Sequence, residues 1–385
     1  MVTIFLLVSF VVMPIQGLQS SSQNISSYGL VSYSSSMRWL RTDGKWIVDD
    51  EGNVVILRGA NFMGYEFGFW DSHMEEDYAK MASWGFNVVR LPMAWSYIEP
   101  TPGVYNSSYF DYIDKDIKLA EKYGLYIILD LHQYKWSTYF GGNGLPMWAV
   151  GSYENSEKGM GQAITDFWTG KGPNGTDANA NNSPMKERLV NIWRYIAQRY
   201  ANTSAIAAYE LFNEPPDSSQ YMDNGLDSSK TAEYLYPLYS RIIEEIRSVD
   251  PNHIIVYEPV GGWGSRTARK LDYPNLAYSF HFYWHEPYSG NITELEEAFL
   301  YRFQYIEPTL NPCVGKMPIW LGEVGIDYPD SKNPNASMWV KDILSLCDKY
   351  EITWQWWTMW KRDTGKALLY TNGTEKEIIR YLRLH

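Results

Sequence analysis

Short apolar runs alternate with longer amphipathic segments along most of this chain of 385 residues. The runs have the length of buried strands, and turn-forming residues separate them from their neighbours. The predicted strands span residues 57–61, 87–92, 126–132, 206–213, 253–258, 277–283, 319–323 and 352–357. Apolar side chains recur at helical spacing between them, most clearly over residues 109–123, 185–200, 232–248 and 338–350. Eight strand–helix repeats predict a closed (β/α)8 barrel, the TIM-barrel fold.

Two segments depart from the repeat. Residues 46–56 hold two apolar runs around Gly52-Asn53, which predicts an N-terminal β-hairpin ahead of the first barrel strand. Residues 133–184 are rich in Gly, Asn, Trp and Tyr and show little periodicity, which predicts a long loop after strand 3. Loops of that length commonly serve as lids or binding walls. We expect one domain over residues 38–385.

The N-terminus has the features of an export signal. Residues 1–13 form an apolar run that is short for a membrane span and suits a signal peptide. We predict a signal peptide over residues 1–18 and a flexible Ser- and Asn-rich leader over 19–37. The run lacks a preceding Lys or Arg and an Ala-x-Ala site, so an uncleaved anchor is the alternative. Glycosylation sequons also favour secretion, and they begin at Asn24, Asn106, Asn174, Asn181, Asn202, Asn291, Asn335 and Asn372.

Composition restricts the partners. The net charge is −12 and no basic run occurs, which argues against nucleic acid or an anionic membrane surface. The 17 Trp, 31 Tyr and 14 Phe residues exceed ordinary use, and flat rings stack on sugar faces, so a carbohydrate partner is favoured. Two cysteines cannot build a zinc cage alone. Cys313 and Cys347 form either one disulfide or two buried thiols.

Two glutamates lie where a barrel of this type does its chemistry. Glu214 follows the strand at 206–213 and Glu323 ends the strand at 319–323, and chain-breaking residues come directly after each. Active sites of such barrels form at the carboxyl ends of the strands. Two carboxylates in one cleft are the groups that glycosidic-bond hydrolysis requires. Other strand ends carry Asn61, Arg90, His132, Asn213, Glu258, His281, Tyr283 and Trp357.

An ordered set of motifs resembles glycoside hydrolase family 5, the cellulase- and mannanase-like retaining β-glycosidases. The resemblance runs from about residue 46 to 365 and rests on Val89-Arg-Leu-Pro92, Asn213-Glu-Pro215, His281-Phe-Tyr283, Leu321-Gly-Glu323 and Trp354-Gln-Trp-Trp357. It implies that Glu214 is the general acid/base and Glu323 the nucleophile, in a reaction that needs no metal or cofactor. It also implies substrate-binding roles for six further residues. Arg90 would lie beside Glu323, and Tyr283 would donate to Glu323. Asn213 would bind the sugar 2-hydroxyl, Trp357 would form the floor of the subsite, and His132 and His281 would line the cleft.

Each of these residues also has a structural interpretation. Arg90 could be an internal ion-pair partner, and His132 and His281 could be core histidines. Asp130 and Glu210 lie deeper in their strands, so we expect them to be internal hydrogen-bond partners. Glu258 ends strand 5 as a rival carboxylate, and we rank it below Glu214.

The loop after strand 3 has a narrower likeness. Residues 132–148 resemble the corresponding segment of the endoglycoceramidases of the same family, although Tyr134 replaces their usual Asp and Pro216 replaces their usual Trp. The expected function is a secreted retaining β-glycoside hydrolase that cleaves a β-linked glucan or mannan. The alternatives are an endoglycoceramidase-like hydrolase of glycolipids and a sugar-binding barrel without activity, which should lack one carboxylate.

Overall fold

Eight parallel strands close into a barrel in the computed structural model of the protein, in the spatial order β11-β12-β3-β4-β5-β6-β7-β8. Its strands are β3 (Arg58–Asn61), β4 (Val88–Met93), β5 (Tyr126–Leu131), β6 (Ile206–Glu210), β7 (Ile254–Tyr257), β8 (Leu276–Tyr283), β11 (Ile319–Gly325) and β12 (Thr353–Trp356). Two antiparallel ribbons accompany it, β1 (Leu40–Asp43) with β2 (Trp46–Asp49), and β9 (Tyr305–Ile306) with β10 (Thr309–Leu310). The predicted (β/α)8 fold is confirmed.

The structure describes residues 37–171, 184–262, 265–284, 287–303, 305–306, 309–328, 333–359 and 365–383. The predicted signal peptide over 1–18 and nearly all of the leader over 19–37 lie outside these residues, as do the sequons at Asn24, Asn174 and Asn181. The predicted division into signal peptide, leader and one domain over 38–385 therefore stays a prediction.

Helices link the strands. They are α1 (Glu75–Ser83), α2 (Trp95–Ile98), α3 (Ser107–Lys122), α4 (Met147–Val150), α5 (Glu157–Thr169), α6 (Pro184–Tyr200), α7 (Ser228–Arg247), α8 (Ile292–Phe303), α9 (Ala336–Lys349) and α10 (Ile379–Leu382). Helix α3 illustrates how they form. The Asn106 side chain caps its first turn by accepting from the Tyr109 amide, and Phe110, Ile113 and Ile117 form its buried face. None of the described helices is long and apolar enough to cross a bilayer.

The N-terminal hairpin forms around an earlier turn of the chain than the predicted turn at Gly52-Asn53. Its strands pair from Leu40 opposite Asp49 to Asp43 opposite Trp46, around a left-handed Gly44. The chain also turns at Gly52, as predicted, and the Asp49 side chain holds this turn by accepting from the amides of Glu51 and Asn53. The segment after Gly52 pairs with β2 only through an isolated bridge. This segment leads directly into β3, the first strand of the barrel.

The segment after β5 is more regular than predicted. Helix α5 lies inside the range interpreted as a loop, and Met160, Ala163, Ile164, Phe167 and Trp168 form its buried face at helical spacing. Gly159 and Gly161 at its start weaken the helical signal, because glycine disfavours a helix interior. The indole Nε1 of Trp168 donates to the backbone oxygen of Pro216 at 2.8 Å. The helix therefore supports the chain just after Glu214.

Alternation along the strands divides the barrel interior into two levels. The lower level is apolar, and the hairpin closes it; its members include Leu40, Ile47, Val88, Ile128, Ala208, Val256, Ala277 and Trp320. On five of the strands the next inward-facing position, two residues further along, is polar and fully buried: Arg90, Asp130, Glu210, Glu258 and Ser279. These charged and polar residues form a layer, the ionic level, directly above the apolar level. Outside the barrel, Cys313 and Cys347 are both buried free thiols, so the disulfide is not formed.

Candidate active site

Arg90 is the centre of the ionic level. Its Nε donates to Glu210 Oε2 at 2.6 Å, and Nη1 donates to Asn61 Oδ1 and Glu323 Oε1, each at 2.9 Å. Its Nη2 donates to Asn213 Oδ1 at 2.8 Å and lies 3.2 Å from Asp130 Oδ2. The guanidinium thus donates four hydrogen bonds and forms a close ion pair with Asp130. Arg90 therefore fixes two glutamates, one aspartate and two asparagines relative to one another, and Asp130 and Glu210 are internal partners as predicted.

Glu323 is held at both oxygens. Arg90 Nη1 donates to Oε1 at 2.9 Å, and the Tyr283 hydroxyl donates to Oε2 at 2.6 Å. The side chain is 6% exposed. A cation and a hydroxyl donor stabilise the ionised form of a carboxylate. The arrangement suits a group that must remain an anion and present one face to the cleft.

A β-bulge directs Glu323 into the barrel. The register of β11 against β8 shifts between Leu321 and Glu323, so Gly322 is the extra residue. A Cβ on Gly322 would lie 2.8 Å from Ser279 Oγ and 2.9 Å from His281 Nε2. Because side chains alternate along a strand, the inserted residue turns the next one inward. The glycine of the Leu-Gly-Glu motif thus allows the side chains of Ser279 and His281 to lie close to the backbone of β11.

Glu214 has a different environment. It follows β6 in a left-handed conformation with φ 41°, and its side chain is 21% exposed. Its Oε1 lies 2.7 Å from His281 Nδ1. Its backbone amide donates to Glu258 Oε2 at 3.0 Å, and its carbonyl accepts from Gln133 Nε2 at 2.8 Å. Side chains therefore hold the peptide groups on both sides of Glu214.

The two carboxylates are close. One oxygen of Glu214 and one of Glu323 lie within 4.8 Å of each other, with His281 between them. Retaining glycosidases have carboxyl groups roughly 5–5.5 Å apart, and inverting enzymes have them roughly 6.5–9.5 Å apart. The spacing therefore matches the retaining geometry. It is also short enough for a shared cation, but Glu323 already accepts from Arg90 and Tyr283, and His281 is hydrogen-bonded to Glu214, so this donor set does not fit a metal ligand set.

The pKa values of the two histidines shift in opposite directions. Burial, and then the positive charges of Arg90 and His281, hold the pKa of His132 at about 4 against the attraction of Glu323 and Glu214, so His132 is neutral near pH 7. Burial would also lower the pKa of His281, but the negative charges of Glu258 and Glu323 and the contacts with Glu214 and Glu258 raise it well above its usual value.

The remaining predicted site residues lie around these groups. His132 Nδ1 is hydrogen-bonded to Asp130 Oδ2 at 2.7 Å, and its ring is stacked on Trp357 with centroids 5.5 Å apart. The peptide bond between Trp357 and Thr358 is cis. Asn213 accepts from Arg90, and its Nδ2 donates to the Gln133 carbonyl at 3.0 Å. The structure thus brings together all eight residues that the sequence predicted.

A cavity of about 390 Å³ opens beside Glu214. Tyr134, Phe140, Met160 and Tyr221 supply apolar surface, and its polar lining comes from Gln133, Lys135, Asn155, Ser156, Glu157 and Gln220. Lys135 and Trp136 have φ of 50° and 65°, so two consecutive left-handed residues shape this wall. Tyr134 is half exposed, and Lys135 Nζ lies 5.6 Å from its ring centroid. The cavity is open beside Glu214.

Sequence reasoning missed several residues of the site. Gln133 was not singled out, although it contacts Glu214 and Asn213 and accepts from the Trp136 amide. Its position directly after His132 was the available signal. Glu258, the rival carboxylate ranked below Glu214, is completely buried, and so are Arg90 and His281, so these three side chains act through their neighbours. Glu66, in the segment after β3, is buried too, and no periodic pattern marks it.

Comparisons with known proteins agree with this geometry. Residues 48–363 match the family model described as cellulase, glycosyl hydrolase family 5. A β-xylosidase of Phanerodontia chrysosporium is 26% identical over 83% of this chain and 70% of its own, and an endoglycoceramidase of Cyanea nozakii is 25% identical over 81% and 67%.

A similar solved structure is the endo-glycoceramidase II from Rhodococcus sp. in complex with a five-membered iminocyclitol. Its TM-score is 0.73 at 25% identity, over 88% of this chain and 80% of that one. The family model covers most of the chain. The chain therefore belongs to glycosyl hydrolase family 5, a family of retaining glycosidases, and it is a glycosidase that hydrolyses O-glycosyl compounds.

Proposed function

We propose that this protein is a secreted retaining β-glycoside hydrolase that cleaves a β-linked glucan or mannan, with Glu323 as nucleophile and Glu214 as general acid/base. The observation that carries the proposal is the pair of carboxylate oxygens within 4.8 Å of each other. One of them is held by Arg90 and Tyr283, and the other adjoins an open cavity. Two carboxylates with such different surroundings suit two different roles.

In the first step the Glu323 carboxylate attacks the anomeric carbon. The bond from that carbon to the glycosidic oxygen breaks, and Glu214 gives its proton to the departing oxygen, so the leaving group departs as an alcohol. The sugar is now an ester of Glu323. Because the ester of Glu323 carries no charge, Glu214 then lies beside a neutral group.

In the second step the Glu214 carboxylate removes a proton from water as the water oxygen attacks the anomeric carbon. The ester bond breaks, Glu323 recovers its charge, and two inversions leave the β configuration unchanged. Arg90 and Tyr283 stabilise the carboxylate that is released. Trp357 and His132 would form a flat surface against the sugar ring.

The proposal is tested with two activated 2-deoxy-2-fluoro glycosides, one gluco and one manno. We expect a covalent sugar on the peptide that contains Glu323, measured by intact and peptide mass, and the preferred reagent identifies the sugar. Glu323→Ala should lose turnover, and added azide should restore part of it as the product of inverted configuration. An adduct on another residue would contradict the assignment of the nucleophile.

A second candidate is hydrolysis of glycolipids. The observation that favours it is the cavity beside Glu214, whose apolar lining of Tyr134, Phe140, Met160 and Tyr221 suits an amphiphilic leaving group. Proteins described as endoglycoceramidases occur among the relatives. Comparing kcat/KM for a β-glucosyl or lactosyl lipid with that for a cello-oligosaccharide decides between them. A substantial preference for the lipid would replace the glucan proposal.

Secretion rests on the N-terminal pattern and the sequons. Among the described sequons, Asn202, Asn291 and Asn372 are exposed, where a glycan can be attached. Expression in a eukaryotic host should give a secreted product whose mass falls after treatment with a peptide N-glycosidase. Retention of residues 1–18 in that product would indicate an anchor instead.

A further inference from the structure

A third glutamate, Glu258, contacts the backbone of Glu214, the proposed acid/base, and the ring of His281. We propose that Glu258 is a positioning residue for Glu214, which fixes the Glu214 backbone and the His281 ring so that Glu214 can protonate the leaving group. The inference rests on the proposed function, because it takes Glu214 as the acid/base. Glu258 itself is completely buried and touches no substrate.

The first observation is the contact with the Glu214 backbone. Glu258 Oε2 accepts from the Glu214 amide at 3.0 Å. At that amide the chain has a left-handed φ of 41°, a strained conformation for a non-glycine residue that persists only where the surroundings hold it. Gln133 holds the following carbonyl at 2.8 Å. Glu258 therefore supplies one of two side-chain contacts that hold Glu214 in this conformation.

The second observation is the contact with His281. The ring lies between two glutamates, with Nδ1 2.7 Å from Glu214 Oε1 and Nε2 3.3 Å from Glu258 Oε1. Nδ1 is also 3.6 Å from Glu323 Oε2. The two ring nitrogens therefore face two different glutamates. Glu258 thus packs against one side of the ring whose other side orients the acid/base carboxylate.

The third observation is the close packing over these groups. Gly262 has a φ of +65°, and a Cβ there would lie 2.7 Å from Glu258 Oε2 and 2.9 Å from Glu214 Cγ. Its carbonyl accepts from the His281 amide at 2.8 Å, and the Gly261 amide donates to the Pro215 carbonyl at 2.7 Å. The segment after β7 is therefore tied to β8 and to the chain after β6. Little space remains for the three side chains to take another arrangement.

A purely structural role as a partner of Arg90 accounts for less. Glu258 Oε1 lies 3.6 Å from Arg90 Nη2, which is the longest of the four carboxylate contacts of Arg90. Arg90 donates four hydrogen bonds, and none of them goes to Glu258. Glu258 Oε2 accepts from the Glu214 amide at 3.0 Å, a shorter contact than that between Glu258 Oε1 and Arg90. The position of Glu258 is therefore better explained by the acid/base than by the cation.

The test uses Glu258→Gln with two substrates of the same sugar. A dinitrophenyl glycoside leaves without protonation, whereas an alkyl glycoside or disaccharide needs the acid. General acid–base catalysis contributes about 10²- to 10⁴-fold, so a displaced acid should cost about tenfold or more on the second substrate and little on the first. Labelling of Glu323 by the 2-fluoro glycoside should persist. Gly262→Ala keeps every charge but presses on Glu214, and it should give the same split between substrates.

Asp250→Asn is the matched control. Asp250 is also a buried carboxylate in contact with a buried histidine, at 2.5 Å from His253 Nδ1, and it accepts from the Tyr209 hydroxyl at 2.8 Å. These residues belong to β6 and the segment that enters β7, at the end of the strands away from Glu214. We expect the control to lower the melting temperature while any loss of activity is equal on both substrates.

Two outcomes overturn the inference, and they are distinguishable. If Glu214→Ala separates the two substrates but neither Glu258→Gln nor Gly262→Ala does, Glu258 is structural and the proposed function stands. If Glu214→Ala itself lowers both substrates equally, the acid/base assignment fails, and the role of Glu258 fails with it. If Glu258→Gln does not fold, the result with Gly262→Ala decides.

Discussion

Arg90 shows why the identity of a single side chain matters here. Its planar guanidinium donates to acceptors on β3, β6 and β11 and on the chain after β6, and forms an ion pair with Asp130 on β5, at the same time. A lysine of equal charge has three donors and no fixed fork. The group is completely buried, so an acceptor left without its partner cannot turn to bulk water.

The first prediction at this scale concerns Arg90→Lys. We expect kcat to fall by about 100-fold or more, because the hydrogen bond to Glu323 and the placement of Asn213 depend on the fork. Steady-state kinetics with a dinitrophenyl glycoside and thermal unfolding measure the two effects. Near-normal turnover in a folded variant would make Arg90 a structural residue only.

At the scale of elements, the β-bulge of β11 has the clearest functional effect. Without the extra residue, alternation would turn the side chain of position 323 out of the barrel. The bulge residue must also be small, since Ser279 Oγ and His281 Nε2 would lie within 3 Å of any Cβ.

We therefore predict that Gly322→Ala lowers activity by about tenfold or more. The added methyl group displaces His281, which is hydrogen-bonded to Glu214, and overpacking of this kind typically costs about 1–3 kcal/mol of stability. Measurement of kcat and of the melting temperature checks both parts. Unchanged kinetics would mean that the bulge tolerates a side chain and that His281 is not fixed by it.

The elements also show how far the sequence alone leads. The eight strands could be predicted because most are buried on both faces and are largely apolar, with a polar residue at or near the end. The site followed, because strand ends such as those at Asn213 and Glu323 must converge in a closed barrel. Helix α5 could not be predicted, because glycines in its first turn hide an otherwise periodic face. The role of Glu258 could not either, since only contacts across three strands reveal it.

For the whole molecule, buried carboxyl groups are a source of pH dependence. Glu66 is an example: burial first of all raises its pKa to about 8, and Asp130 and Glu323 add to the effect against hydrogen bonds from the backbone. A raised pKa means that the folded state keeps a proton that the unfolded chain has released. The neutral form of Glu66 contributes its full stabilisation at pH values below the pKa that Glu66 has in the unfolded chain. This stabilisation is lost as the pH rises towards about 8.

Glu66→Gln should therefore be more stable relative to the parent at pH 8 than at pH 5. The amide imitates the neutral acid and does not titrate, so the difference in melting temperature, variant minus parent, should increase by several degrees over this range. Thermal unfolding at both values measures it. A difference that is constant with pH would show that Glu66 is not neutral in the folded protein.

Closure of the barrel has a consequence for the nascent chain. The strand that seals the barrel, β12, pairs with β3, and Leu57 beside β3 donates to Thr353, 296 residues further along the chain. Until β12 has left the ribosome, β3 has an unpaired edge with free amide and carbonyl groups, which invites pairing with other chains. Contacts this distant in sequence form slowly and favour aggregation-prone intermediates. Chaperone demand during synthesis therefore follows from the same ring closure that places Glu323 between Tyr283 and Arg90.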